Sequence, residues 1–186
     1  IITESWLEEM LQLCQQKDVG MAGAKLYYPD DTIQHAGVVV GLGGVAAHVL
    51  CKLPRDAEGY MGRLRCVQEI SAVTAACMMV KTSVFKAVGG FDEELKVAFN
   101  DIDLCMKVRK YGVKIVFTPY AELYHYESKS RGMEDTPEKQ LRFSREVNCF
   151  RRKWERELLK GDPYYNPNLT LNNTDCSLRK QEKNGD

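Results

Sequence analysis

Charge of one sign is what this 186-residue sequence lacks, because 26 Lys and Arg offset 26 Asp and Glu. No excess field draws in nucleic acid or an anionic membrane surface, so any anion must be held by a local cluster of side chains. Long apolar runs are missing too. Those present, such as Ala-Ala-Cys-Met-Met-Val at 75–80, are far shorter than the roughly 20 residues that span a bilayer, and no signal-peptide pattern opens the chain. Seven cysteines occur without one CxxC pair. That odd count argues against a zinc ribbon or a disulfide framework and for reduced thiols in the cytosol. Internal repeats and low-complexity segments are also absent.

What is present is a chain with 44% hydrophobic residues, enough for one globular core. Trp6, Leu7, Met10, Leu11 and Cys14 follow helical spacing, and Ser5 with Glu8 reads as a capping box. Residues 19–28 predict a strand, Pro29-Asp30-Asp31 a turn, and 32–44 a β-branched strand feeding a loop; 46–66 read as one long loop around Arg55 and Tyr60. An apolar strand over 75–80 precedes a short helix over 82–88, which Gly89-Gly90 ends. Ile102, Leu104, Cys105 and Val108 give the next helix its apolar side, with Asn100 or Asp101 as cap and Gly112 as stop. Cys77 and Cys105 read as small core residues. Two strands follow, 113–117 ended by Thr118-Pro119 and then 121–126. A charged helix over about 136–160 has its apolar side at Leu141, Phe143, Val147, Phe150 and Trp154, and an extended, proline-punctuated tail closes the chain.

The chemistry concentrates in residues 89–132. Asp101 lies at a helix start, where backbone N–H groups and the helix dipole stabilise an anion, and a carboxylate so placed takes a proton from a hydroxyl nucleophile. The plainer alternative is a helix cap with no chemistry. Asp103 reads as a solvated first-turn acid, and residues two apart on a helix do not share a face, so Asp101-Ile102-Asp103 is a poor chelate despite its Asp-x-Asp lettering. His125 is followed at spacing two by Glu127, Lys129 and Arg131, which an extended segment would place on one side. Lys and Arg suit diphosphate oxygens and imidazole suits a Mn-type ion; the alternative is a hydrogen-bonded structural histidine beside a solvated loop. His35 and His48 have weaker contexts. Tyr164, Tyr165 and Asn166 offer stacking surfaces for sugars, which keeps open a non-catalytic carbohydrate-binding or protein-interaction module.

Together GGFDEEL, NDIDLCMKVRKYG and TPYAELYHYESKSRG resemble the C-terminal half of family 2 inverting glycosyltransferases with a GT-A fold, especially enzymes of bacterial polysaccharide and O-antigen assembly. WLEEML, SAVTAACMMV and GDPYYNPNLTL fit the same group, so the resemblance covers nearly the whole chain. It implies an α/β fold, the C-terminal part of a GT-A domain, with a mixed sheet, flanking helices, and a C-terminal helix and extended tail. Residues 1–132 would form the acceptor and catalytic-base half and 133–186 the helix and tail.

The same resemblance implies that Asp101 is the catalytic base. It would deprotonate an acceptor hydroxyl that attacks a nucleotide-diphosphate sugar with inversion. Asn100, Asp103, Thr74 and His35 would lie on the acceptor side, Lys129 and Arg131 would meet the diphosphate, and His125 would complete the binding of a divalent Mg or Mn ion. Most of that ion's ligands belong to an N-terminal half expected upstream of Ile1, since no initiator Met precedes the first helix; the fragment is expected to be inert alone. The implied partners are the nucleotide-sugar donor and a glycan or lipid-linked acceptor. The implied location is the cytoplasm, with the parent protein peripheral at the inner membrane face.

Overall fold

The computed structural model describes residues 1–126 and 136–180. In chain order the elements are α1 (Trp6–Cys14), β1 (Val19–Tyr27), β2 (Ile33–His35), β3 (Val38–Val40), β4 (Ala46–His48), β5 (Gln68–Glu69), β6 (Met78–Val80), α2 (Thr82–Ala87), α3 (Asn100–Tyr111), β7 (Lys114–Tyr124), α4 (Pro137–Lys153) and α5 (Glu155–Lys160). The main sheet is mixed, in the order β2-β1-β7-β5, with β6 also pairing with β1; β3 and β4 form a separate hairpin. β1 and β7 are parallel and pair from Val19 to Tyr27, so antiparallel β2 and β6 share the other edge of β1.

β1 is buried along its whole length because both of its faces are covered. Ala22, Ala24 and Leu26 pack with Val116 and Ala121 against Met10, Leu13 and Cys14 of α1. Met21 and Tyr27 face the other way, into the larger core with Ile115, Phe117 and the α3 residues Leu104, Cys105 and Val108. At Gly23 the sheet admits no side chain, since a Cβ there would stand 2.3 Å from a Val73 methyl.

Several local expectations are overturned. Ser5 does sit at the N-cap of α1, but its ψ of 23° is not extended and its side chain makes no cap bond, so the capping box does not form. Residues 75–80 begin as a 3-10 turn, Ala75–Cys77, because the Thr74 hydroxyl accepts the Ala76 N–H at 3.4 Å before the chain enters β6. The long loop over 46–66 contains β4 and a 3-10 segment, Tyr60–Arg65. The two strands expected at 113–117 and 121–126 are one strand, β7. Thr118 pairs with Ala24 and Glu122 with Lys25, so 119–121 form a bulge across which Pro119 is accommodated.

The helix expected over 136–160 breaks at Trp154, which separates α4 from α5. Of its apolar side, Phe150 and Trp154 are buried, whereas Leu141 and Phe143 remain 53% and 43% exposed. Phe150, Trp154, Tyr165, Leu169 and Cys176 lie in the same core as Met21 and Phe117. The Asp162 carboxylate fastens the tail by accepting the Val40 N–H at 2.8 Å. All seven cysteines are unpaired; Cys105 is fully buried and Cys77 only partly.

Candidate active site

α3 ends at Gly112, whose φ of 96° lets the chain reverse directly into β7. The start of α3 is thereby returned to the edge of the sheet where parallel β1 and β7 end. Open α/β sheets bind ligands at that carboxyl edge. Asp101 occupies the first turn of α3. One carboxylate oxygen accepts the N–H of Ala75 at 3.1 Å and the other the N–H of Ile102 at 2.9 Å. Asp101 is half-buried, as is Thr74, and Ala75 and Ala76 beside it are exposed. The carboxylate is thus held in place but open to a hydroxyl group approaching over the Thr74–Ala76 turn.

Neither Asn100 nor Asp101 is the helix cap. That position belongs to Phe99, in a left-handed conformation with φ 63°, and no side chain caps the helix. A bulky residue there costs about 1–3 kcal/mol of backbone strain, so the surrounding packing must enforce it. Asn100 is half-buried in the first helical residue.

Asp103 is not a solvated acid: it is fully buried. Oδ1 accepts the Trp154 indole N–H at 2.8 Å and meets Lys153 Nζ at 2.7 Å, while Oδ2 faces Lys107 Nζ at 3.1 Å. Lys153 also pairs with Asp92, in the turn after Gly90. Burial pulls the Lys153 ammonium down, but Asp103 and Asp92 outweigh it and raise its pKa. Asp103 is thus enclosed by the fold, ion-paired through both oxygens and without exposure to solvent.

His35 is likewise fully buried rather than facing an acceptor. Its Nδ1 lies 2.9 Å from His48 Nδ1, the two rings meet edge to face, and Nε2 has no partner among the described residues. Burial, reinforced by His48, holds the His35 pKa well below 6.5.

His125 follows β7 at the same edge, where its N–H bonds the Tyr27 carbonyl at 3.0 Å. Gln34 Nε2 donates to the His125 carbonyl at 3.2 Å, which turns its Oε1 toward His125 Nδ1, 2.8 Å away. Nδ1 must therefore carry the proton and donate it, leaving the Nε2 lone pair as the acceptor. One imidazole nitrogen suits a cation, but among the described residues no three His, Cys, Asp or Glu side chains converge as a metal site. The described residues do not fit a divalent ion by themselves. Glu127, Lys129 and Arg131 lie outside the described residues.

A network at this edge was not singled out from the sequence. Tyr27 donates to Glu122, Arg55 binds Glu122 at 3.1 Å and approaches Asp31 at 3.7 Å, and Tyr124 donates to Asp31. Lys25, 5% exposed, lies 5.4 Å from the Tyr27 ring, and burial lowers its pKa although Glu122 works against that. The alternation of β1 places Lys25 and Tyr27 on one face, but nothing local in the sequence brings Arg55 to them. The aromatic cluster proposed for sugar stacking is dispersed: Tyr165 is buried with its hydroxyl on the Thr170 carbonyl, and the Arg109 guanidinium covers Tyr164 at 5.5 Å.

A mixed sheet with flanking helices, with an acid-bearing helix start at the carboxyl edge of its parallel pair, matches what a fragment of a GT-A type α/β fold presents. Residues 1–145 match the profile of the glycosyltransferase like family 2, and the chain belongs to that family. It is 57% identical over 179 residues to the "Uncharacterized protein y4gI" of Sinorhizobium fredii, covering 96% of this chain and 20% of that protein. It is 38% identical over 187 residues to the "O-antigen biosynthesis protein RfbC" of Myxococcus xanthus, covering 100% of this chain and 14% of that protein. A 62-residue stretch is 36% identical to an N-acetylglucosaminyl-diphospho-decaprenol L-rhamnosyltransferase of Mycobacterium tuberculosis, covering 33% of this chain and 20% of that enzyme. The chain therefore spans a fifth or less of the length of these curated relatives. Among the described residues no helix is long and apolar enough to cross a membrane.

Proposed function

We propose that this chain carries the acceptor side and the catalytic base of an inverting glycosyltransferase that uses a nucleotide-diphosphate sugar. Residues 1–132 supply the base and 133–186 brace it. The observation that carries the reading is Asp101: a half-buried carboxylate, held by the Ala75 N–H at 3.1 Å, at the helix start that meets the carboxyl edge of β1 and β7. In the proposed step an acceptor hydroxyl loses its proton to Asp101, and its oxygen bonds to the anomeric carbon. The bond from that carbon to the diphosphate breaks on the opposite face, so the nucleotide diphosphate leaves with the bonding pair and configuration inverts. Thr74 and Asn100 flank the approach; Asp103 and His35 serve the fold instead.

The acceptor class is a glycan or lipid-linked saccharide, a reading supported by the O-antigen and rhamnosyltransferase relatives. Lys129 and Arg131 are proposed for the diphosphate. A divalent Mg or Mn ion belongs to this reading with His125 as its contact on this chain and its other ligands outside the described residues, and the proton and glycosyl transfers above are not routed through it. The donor-binding half is proposed to lie elsewhere in the parent protein, so this chain alone should show no turnover.

The test is Asp101→Asn in the full-length parent protein, with donor binding and sugar transfer measured separately. Loss of a general base costs about 10²–10⁴-fold in rate, so kcat should fall by that factor while the donor Kd stays within about twofold. Turnover at the parent rate would remove Asp101 as the base.

A further inference from the structure

We infer that Glu146 of α4 is a positioning residue for the base: its carboxylate splints the segment that enters α3 and so sets where Asp101 stands. The inference rests on the assignment of Asp101 made above. Oε1 accepts the N–H of Val97 at 3.1 Å and Oε2 accepts the N–H of Ala98 at 2.9 Å, bonds made across 49 and 48 residues of sequence. The Glu146 side chain is 4% exposed, and its nearby cation is Arg142, with Nε 3.9 Å from Oε2. Bonds from backbone N–H groups to a buried carboxylate are among the stronger ones a protein makes.

The two amides belong to a stretch with no helix or strand of its own. Directly after them stands Phe99, left-handed and without a side-chain cap, and the Phe99 carbonyl starts the ladder of α3 by accepting the Asp103 N–H at 2.8 Å. The start of α3 is therefore specified from outside. Phe143, Glu146 and Phe150 recur at helical spacing and face one way from α4. The Phe99 ring lies 5.9 Å from Phe143 and 5.4 Å from Phe150, so one face of α4 grips both the backbone of 97–98 and the ring of the strained residue. The Asp103 links to Lys153 and Trp154 hold the first turn of α3 from its buried side, and Glu146 holds the segment that leads into that turn, where Asp101 sits. A reacting group misplaced by about 1 Å loses on the order of 10²-fold in rate.

The experiment uses the full-length parent protein carrying Glu146→Gln, in which an amide NH₂ faces one of the two N–H groups. Hydrogen exchange at Val97 and Ala98 should accelerate at least about tenfold, and kcat should fall about 10–100-fold with the donor KM within about twofold. Glu146→Asp keeps the charge but shortens the reach, and should give an intermediate loss if Glu146→Gln does not fold. Leu169→Ala, a core truncation in the tail, serves as the stability control and should lower Tm while leaving kcat within about twofold. Parent-like exchange at Val97 and Ala98 in either Glu146 variant overturns the inference. So does accelerated exchange with unchanged kcat, provided Asp101→Asn is inactive. Should Asp101→Asn retain turnover, the base assignment fails, and the exchange arm still decides whether Glu146 holds the segment.

Discussion

Trp154 donates its indole N–H to the fully buried carboxylate of Asp103 at 2.8 Å, tying the junction between α4 and α5 to the first turns of α3. Lys153 joins the same carboxylate at 2.7 Å and Lys107 at 3.1 Å. Removing the charge leaves Lys107 without its carboxylate and Lys153 with Asp92 alone, and breaking a buried pair from one side costs about 3–5 kcal/mol. Asp103→Asn should therefore lower Tm by about 10 °C in a scanning calorimeter. Trp154→Phe, which removes one hydrogen bond, should cost only about 1–3 kcal/mol.

Gln34 sets the tautomer of His125, because its amide is locked by the bond it gives to the His125 carbonyl. In Gln34→Leu the acceptor for Nδ1–H is gone. Nitrogen-15 spectra of the imidazole at pH 8 should show Nδ1 protonated and Nε2 bare in the parent chain, and a shift toward the Nε2–H form in the variant. Identical spectra would mean that Gln34 does not orient the ring.

The sign of one pH effect follows from His35. Burial depresses its folded pKa below the 6.5 of a free imidazole, so below that pH the unfolded chain binds a proton that the folded chain refuses. Stability from this group is complete above about pH 6.5 and falls by about 1.4 kcal/mol per pH unit beneath it. Chemical denaturation between pH 7.5 and about 5 should show that slope, and His35→Gln should flatten it. Asp92, held below its ordinary 3.8 by Lys153, titrates too low to contribute in this window.

The apolar pattern of α3 was legible because Ile102, Leu104, Cys105 and Val108 answer only to helical period and burial, and all four are buried. The stop at Gly89-Gly90 was legible because both glycines take positive φ. The bulge in β7 was not: Pro119 looks the same whether it ends a strand or is looped out of one, and pairing with β1 decides which. The cap of α3 was misread for a related reason. Asn100 and Asp101 are good capping residues, yet the packing of Phe99 against Phe143 and Phe150 moves the cap one residue earlier. Asp103 and Glu146 are acids in charged stretches, and only tertiary contacts distinguish such residues from solvated ones.

The seating of α4 also decides where a gene can be cut. The family match closes at residue 145, inside α4 and one residue before Glu146. A fragment trimmed to that match would keep Asp103 but discard Lys153 and Trp154, and would keep Phe99 but discard Phe150. The smallest useful expression unit is therefore longer than the matched region, and it has to run on through Cys176, the last buried side chain of the shared core among the described residues.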